Sequence, residues 1–556
     1  MALFGPLSTP TLVRPLQCSI DHRPEGSRMI RRHTVRAGYQ GPASLAMLAL
    51  ASLALASCAV SPPRDAAAID AHAAPIATLH RDDVLWLERT SFGLNSGSVA
   101  DYRRLGRERL LEQQLSARDD ALPAPIAAQI AALDISHQDV VKTLADVRAQ
   151  RRSINAIDDP TAKQQARKAL DEQGNVLTYQ AVRRELLRAV YSSAQLQEEM
   201  VWFWLNHFSV HQYTGDLRWL VADYEEHAIR PYALGRFRDL VLSTLEHPAM
   251  LEYLDNAQNA AGHVNENYAR ELMELHTLGV DAGYTQRDVQ ELARVLTGAG
   301  VNVGPQPHLR PEWQRLYVRR GAFEFNPARH DFGPKVLLGH TIPGGGFTEI
   351  ESAVTLIVRQ PACARFISRE LATYFVADDP PPRLIEAMAQ TFERSDGDIA
   401  AVLRTMFESK EFEAALGTKF KDPVRYVVSA VRFAYDGQTI NNTRPLLNWL
   451  NALGEAPFGR QTPDGYPLTE PSWTSPGQIS RRFEIARAIG SGNGHVFDTE
   501  EGGVPASSGF PQPSNRLYFE AFEPFLATST RSALNRAASP QEWGTFLLAS
   551  PEFNYE

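Results

Sequence analysis

Cysteine is nearly absent: Cys18, Cys58 and Cys363 are all that 556 residues contain. So sparse a set excludes a disulfide framework and a cysteine-built zinc site. There is no excess of base either. The formal charge is -9, and without Met1–Ser57, which holds six Arg and two acids, 50 bases face 63 acids, a balance of -13. Phosphate binding needs a basic face, so nucleic acid is excluded as a partner. The sequence has no nucleophile-elbow serine, no dinucleotide fingerprint and no HExxH pair, because Phe208 follows His207. Gly344-Gly345-Gly346 could approach a ligand backbone-first, but it lacks the Gly-Lys-Ser/Thr of a phosphate loop. Long apolar runs are also scarce; Pro42–Ala56 is barely long enough to cross ~30 Å of hydrocarbon.

That run does have the order of an export signal. Arg31, Arg32 and Arg36 precede it, and it ends in Leu55-Ala56-Ser57-Cys58. These four residues resemble a bacterial lipobox. The resemblance implies cleavage before Cys58, acylation of its thiol and a membrane anchor there, with Ala59 next in line for an outer membrane. A plain cleaved signal beside a fortuitous cysteine is the alternative. Translation could start at Met1 or at Met29. Residues 1–57 are therefore expected as a leader, 58–79, rich in Pro, Ala and Asp, as a flexible tether, and 80–556 as a single large body.

The chain's 44% hydrophobic content supplies a sizeable core, and within the body the apolar spacing is mostly that of helices. Ser98 is a plausible cap for a helix starting at Val99, and His137–Ala194 is rich in helix formers with Pro160 as the one break. In Gln195–Val210 the apolar residues run nearly all round a helix, as for one buried on several sides; Trp204 belongs to this set, while Asn206, His207 and His211 stand out from it. His207 and His211 are four apart, the spacing of a metal pair on one helical face, which makes a divalent metal a candidate cofactor; two ligands alone do not complete a site. After Gly298 the pattern alternates, predicting a small β-hairpin flap over about 313–347 with His330 and Asp331 in its loop, and residues 492–515 read as a mobile insertion. Pro457–Pro476 reads as a long loop whose Trp473 lids the core. The fold expected is mainly α, a multi-helix body with that flap.

One stretch carries most of the ionic pattern. Asn265 to Gly279 and Thr285 to Thr297 read as two helices joined by a turn, with Asn265 as cap, Gly279 as the left-handed terminator, and Thr285 and Asp288 as a capping box. At ~100° per residue, Asn267, Arg270, Glu271 and Glu274 fall on one side of the first helix and Tyr268, Ala269, Leu272, Leu275 and His276 on the other. Asn267 with Glu271, and Arg270 with Glu274, are possible i,i+4 pairs of a solvated face.

The stretch NENYARELMELHTLGVDAGYTQRDVQELARVLTG resembles the signature of a bacterial family known as domain of unknown function 1800. Ser91-Phe92-Gly93, Trp202–Val210, Pro248–Asn256, Arg329–Gly339 and the Trp473 region are similar as well. The resemblance implies an exported, mainly helical protein and supplies no reaction. The residues leave two readings open. In one, Glu271, Glu274, Glu266, His207, His330 and Asp331 are catalytic, with Asn267, Arg270, Asn206 and Trp204 in binding roles, and the protein hydrolyses an envelope polysaccharide or related polymer. Carboxyl groups three apart on a helix have Cβ atoms ~5–6 Å apart, near the ~5–5.5 Å carboxyl spacing of retaining glycosidases. In the other, the charges hold a helix junction in register, and the protein is a non-catalytic envelope lipoprotein that binds a partner such as the family of unknown function 1501.

Overall fold

Capping signals and helix formers recur from His80 onward, and the computed structural model is 61% helical with only small antiparallel sheets. It describes residues 79–117, 122–500 and 507–556. The leader, Cys58 and the tether up to residue 78 lie outside the described residues. The remainder belongs to one unit, Asp70–Glu556, and among the described residues no helix is long and apolar enough to cross a membrane.

The long helix Pro160–Tyr191 begins where Asp159 accepts a hydrogen bond from the Ala162 N–H, with Pro160 at its first position. Near the amino end of the body the cap is Asn95 and not Ser98; the two residues form a reciprocal capping box for the helix Ser96–Leu105. At the centre lies Gln195–His207, buried almost throughout. Two adjacent glutamates on it, Glu198 and Glu199, are wholly buried and point to different parts of the chain.

Glu198 takes two hydrogen bonds from Arg230 at 3.0 and 2.9 Å, and Arg230 also reaches Glu225 at 2.8 Å and Glu185 at 3.3 Å. Arg184 and Arg188 join this cluster through Glu225 and Glu226. Burial opposes charge on Glu225, yet Arg184, Arg230 and Arg188 together hold its carboxyl well below the usual range. Glu185 goes the other way: burial and then Glu225 raise it well above the usual range, and its Oε1 has no partner among the described residues. A proton on Glu185 leaves Glu198, Glu225 and Glu226 facing the three arginines, which balances the buried charge. The arginines come from one long helix and from the interrupted segment around Pro231, where a wide helical turn, Tyr224–Ile229, replaces regular helix.

The central helix pair is present but shorter at its start. Helix Asn267–Glu274 has Glu266 at the cap position, and Asn265 accepts from the Asn267 N–H at 2.9 Å in a local turn before it. Its last turn widens, with the Leu278 N–H bonding the Met273 carbonyl, and Gly279 ends it at φ +83°. Thr285 and Asp288 form the expected box for Gln286–Val295.

The hairpin region extends further than its alternation suggests. β1 (Ala299–Val301), β2 (Val318–Arg320) and β3 (Phe323–Phe325) form an antiparallel sheet in the order β1-β3-β2, and β4 (Lys335–Leu337) pairs with β5 (His340–Ile342). All three residues of β3 are buried, with Phe323 and Phe325 against Phe347, so one-sided alternation understates this strand. The β4–β5 hairpin is pinned to Gln286–Val295: the Val336 N–H donates to Glu291 and the Leu338 N–H to Asp288. The stretch 492–515, expected to be mobile, is fastened at its described ends, where Asn441 donates to the Phe497 and Ser507 carbonyls at 2.8 Å each.

Arg230→Met leaves Glu198 and Glu225 without their central cation. Removing one partner of a buried ion cluster costs ~3–5 kcal/mol, so the variant should unfold at markedly lower urea than the wild type; an unchanged midpoint would show that the cluster does not hold the centre together.

Candidate active site

Helix Gln195–His207 stops at His207, and Phe208 turns the chain away. His211 therefore does not share a helical face with His207; it lies in the following loop against Tyr213 and Thr214. The spacing of four residues is not realised as a metal pair, and among the described residues no three His, Cys, Asp or Glu side chains stand together to hold a metal ion.

The turn at the helix end is fixed by Asn206. Its amide donates to the Tyr466 carbonyl at 3.0 Å and accepts from the Tyr466 N–H at 2.6 Å. Preceding Gly465 sits at φ +70°, and a Cβ there would come within 2.4 Å of the Asn206 carbonyl oxygen, so no larger residue fits under the clamp. Asn206 is thus a positioning residue for the loop 457–475. Trp204, expected in a binding role, is fully buried and donates its indole N–H to the Ala233 carbonyl at 2.9 Å, so it belongs to the core. Trp473 is buried too, donating to the Pro467 carbonyl, and lids the core.

The clamped loop closes one side of a recess of about 230 Å³. His207 and Asn206 contribute from the end of one helix, Glu274 from another, Phe366 and Glu370 from Pro361–Phe375, and Asp464 and Tyr466 from the loop. His207 Nε2 lies 3.0 Å from the His276 carbonyl and must donate to it, which leaves Nδ1 as the lone-pair nitrogen. Burial lowers this imidazole to about 4, so it is neutral at physiological pH. His276, on the core face as its helical position predicts, is fully buried with neither ring nitrogen partnered among the described residues, its ring 6.0 Å from that of His207 and 5.1 Å from Phe208.

The ionic face of Asn267–Glu274 divides in two. Its first half belongs to the surface: Glu266 accepts from Arg270 at 3.3 Å and from Gln286 at 2.6 Å, while Asn267 reaches the Leu254 carbonyl. Arg270 pairs with Glu266 and Gln286, so the i,i+4 partner is the preceding glutamate and not Glu274. The second half turns towards the recess. Burial, then Glu274, raises the Glu271 carboxyl, with Asp464 adding to the effect and Arg270 opposing it, and Glu274 lines the recess itself.

His330 and Asp331 do not join this group. The His330 side chain is sealed from solvent, donating Nδ1–H to the Thr297 carbonyl at 2.7 Å and contacting Glu349 through Nε2 at 2.8 Å. Lys335 meets the other oxygen of Glu349 at 2.5 Å, and the amides of Gly345 and Gly346 donate to the first. Burial opposes charge on Glu349, but these donors hold it down to about 2. The glycine run therefore wraps a carboxylate of the protein itself. Asp331 is bound to Arg294 at 2.8 Å and to the Gly333 N–H.

Glu370 was not legible as a site residue. Burial raises its carboxyl to about 7, with Arg369 opposing, and it has no hydrogen-bond or ion-pair partner among the described residues. The available signal was only its place four residues after Phe366 on the helix Pro361–Phe375, which sets both side chains on one face. Asp464 is held ionised: Arg460 and Thr462 outweigh its burial.

Fold and recess define a mainly helical protein in which separate helices and one clamped loop assemble an acidic, aromatic-walled recess. The chain belongs to the family described as protein of unknown function (DUF1800), whose profile matches residues 85–555. Searches of curated proteins and of solved structures find no match.

The raised Glu370 carboxyl binds its proton in the folded state at pH values where the unfolded chain has lost it. Stability from this group is full below about 4.5 and is lost as pH rises through about 7. Glu370→Gln should therefore gain stability relative to wild type by about 1–3 kcal/mol between pH 5 and pH 8, read from paired denaturation curves; parallel pH profiles would contradict a near-neutral Glu370.

Proposed function

We propose that the recess is a hydrolytic site acting on an envelope polysaccharide or related polymer. The observation that carries this reading is Glu370: a carboxyl without a partner among the described residues, poised near neutrality, facing a recess it shares with Glu274. Protonated Glu370 donates to the leaving oxygen of a glycosidic bond as the C–O bond breaks. Glu274 takes a proton from the attacking water, whose oxygen forms the new bond to carbon. Tyr466 and Phe366 offer faces for a sugar ring, and His207 Nδ1 accepts from a substrate hydroxyl. Glu271 stands behind Glu274 and, with Asp464, keeps the local field negative, which favours the developing positive charge of a glycosyl transition state. Location follows from the leader: an acylated Cys58 would hold the body in the envelope, at the outer membrane, where such polymers lie.

A second reading, a non-catalytic envelope lipoprotein, draws support from Val280. It lines the recess yet is 67% exposed, an apolar rim suited to a protein partner such as one of the family of unknown function 1501.

The purified protein should release reducing ends from envelope glycans, with and without added divalent metal in parallel arms. Glu370→Gln and Glu274→Gln should each lower kcat by roughly 10²–10⁴ without loss of folding, and wild-type activity should fall above about pH 7 as Glu370 loses its proton. If both variants keep every activity found, the recess is not the catalytic site and the binding role stands.

A further inference from the structure

The unsatisfied polar side chains that face the recess are of one kind. His207 is only 9% exposed, and its Nδ1 accepts no hydrogen bond among the described residues; unlike the two nitrogens of His276, it is not sealed in the core. Glu274 and Glu370 line the same space, and neither has a hydrogen-bond or ion-pair partner among the described residues. All three groups accept hydrogen bonds. The side-chain donors of the lining are spent: the Asn206 amide on the Tyr466 carbonyl, the Tyr466 hydroxyl on the Ala456 carbonyl at 2.9 Å, and His207 Nε2 on the His276 carbonyl. The one proton left over, on Glu370, serves the leaving oxygen.

Such a lining sorts the substituents a sugar can carry. An acetamido carbonyl or a carboxylate entering here meets acceptors and no side-chain donor. A protonated amine, with three donors and no acceptor, is the complement.

The charges at the edge of the recess select the same group. Glu271 stands where its carboxyl feels both Glu274 and Asp464. The Tyr253 phenol lies within reach of Asp464 and Glu271, and that of Tyr284 within reach of Glu274 and Glu271, so these acids share one mouth. Nearby cations are committed or turned away: Arg460 grips Asp464 at 2.8 to 3.1 Å, Arg270 pairs with Glu266, and Arg369 is exposed beside Glu370. Glu271 and Glu274 are thus half-buried carboxylates that repel each other, with no counter-ion bound to either among the described residues. No three side chains stand together to hold a metal ion among those residues, whereas Phe366 and Tyr466 present aromatic faces on which an organic cation and its ring can rest.

We infer that the sugar this recess takes carries a free amine, as in a de-N-acetylated hexosamine polymer, with the ammonium at the mouth beside Glu271 and Glu274 and the ring on the aromatic wall. At about 230 Å³ the recess is smaller than the ~300–1,000 Å³ that drug-sized ligands fill, so it holds one residue of the polymer. Naming this ligand a substrate rests on the hydrolytic reading; the preference for an amine does not.

The test separates the two. Calorimetric titration of the full chain bearing Glu370→Gln, which removes the acid and keeps the oligomer intact, is run at about pH 6, where a sugar amine is protonated and ordinary carboxyls are ionised. The probes are the glucosamine tetramer, the N-acetylglucosamine tetramer as its neutral counterpart, and tetralysine as a competing cation without a sugar ring. The glucosamine tetramer should bind roughly tenfold or more tighter than the acetylated one, as a charge-assisted hydrogen bond gives, and tetralysine should not displace it at equal concentration. Adding Glu271→Gln, at a half-exposed position, should weaken the glucosamine tetramer by roughly fivefold with an unchanged Tm and leave the acetylated tetramer as it was. Equal affinity for the two tetramers, a preference that survives Glu271→Gln, or displacement by tetralysine would each overturn the inference. If the preference is found but the wild type cleaves neither tetramer, the hydrolytic reading falls and the amine site stands.

Discussion

The placement of helix Gln195–His207 is the constraint on which the rest of the molecule depends, and two neighbouring buried carboxylates set it. Successive residues on a helix point ~100° apart, so Glu198 and Glu199 face different partners. Glu198 is held by Arg230; Glu199 is held by Arg425 at 2.9 Å and by the Tyr374 hydroxyl at 2.6 Å. Arg425 also binds Glu556, which Arg89 reaches from the first helix, Arg81–Arg89. One helix is thereby tied directly to Arg425, 226 residues on, and through Glu556 to Arg89 at the start of the body. Such pairs add little net stability over well-packed apolar residues, but they penalise any other rotation or register of the helix by leaving a charge buried alone. Fixing that register fixes where Asn206 and His207 emerge, and hence where the recess lies.

The same physics explains which parts of the fold could be read from sequence. Local signals were sufficient where a structure is made by neighbours: the Thr285–Asp288 box, the turn at Gly279 and the all-round burial of Met200 to Leu205 follow from spacing alone. They failed where a distant partner decides. Alternation at Phe323–Phe325 could not reveal that both faces are covered, and His207 with His211 could not reveal that the helix ends between them. Buried glutamates such as Glu198 and Glu199 look the same in a sequence as solvated ones, because only their arginines, 32 and 226 residues away, distinguish them.

Site residues divide along the same line. Glu271, Glu274, Asn206 and His207 were singled out by an unusual local pattern, and the last three do line one recess, with Glu271 beside them. Glu370 and Asp464 gave no such pattern; their significance comes from packing that brings helix 361–375 and loop 457–475 against the ends of two earlier helices. His330 drew notice for the opposite reason. Its polar neighbours suggested chemistry, but they serve to neutralise and enclose Glu349 beneath the glycine turn. A polar cluster with every donor and acceptor matched has nothing left to offer a substrate, whereas one with an unmatched carboxyl does.

The clamp between Asn206 and Tyr466 also has a meaning in time. Its two halves are 260 positions apart along the chain, so during synthesis from the amino end the first half waits until most of the polypeptide exists before the second arrives. Until then the wall bearing Asp464 and Tyr466 is missing, and Glu274 and Glu370 face bulk solvent, where a carboxyl keeps its ordinary acidity. A nascent or truncated chain would thus lack the assembled recess, which is completed only when the loop bearing Tyr466 docks on Asn206.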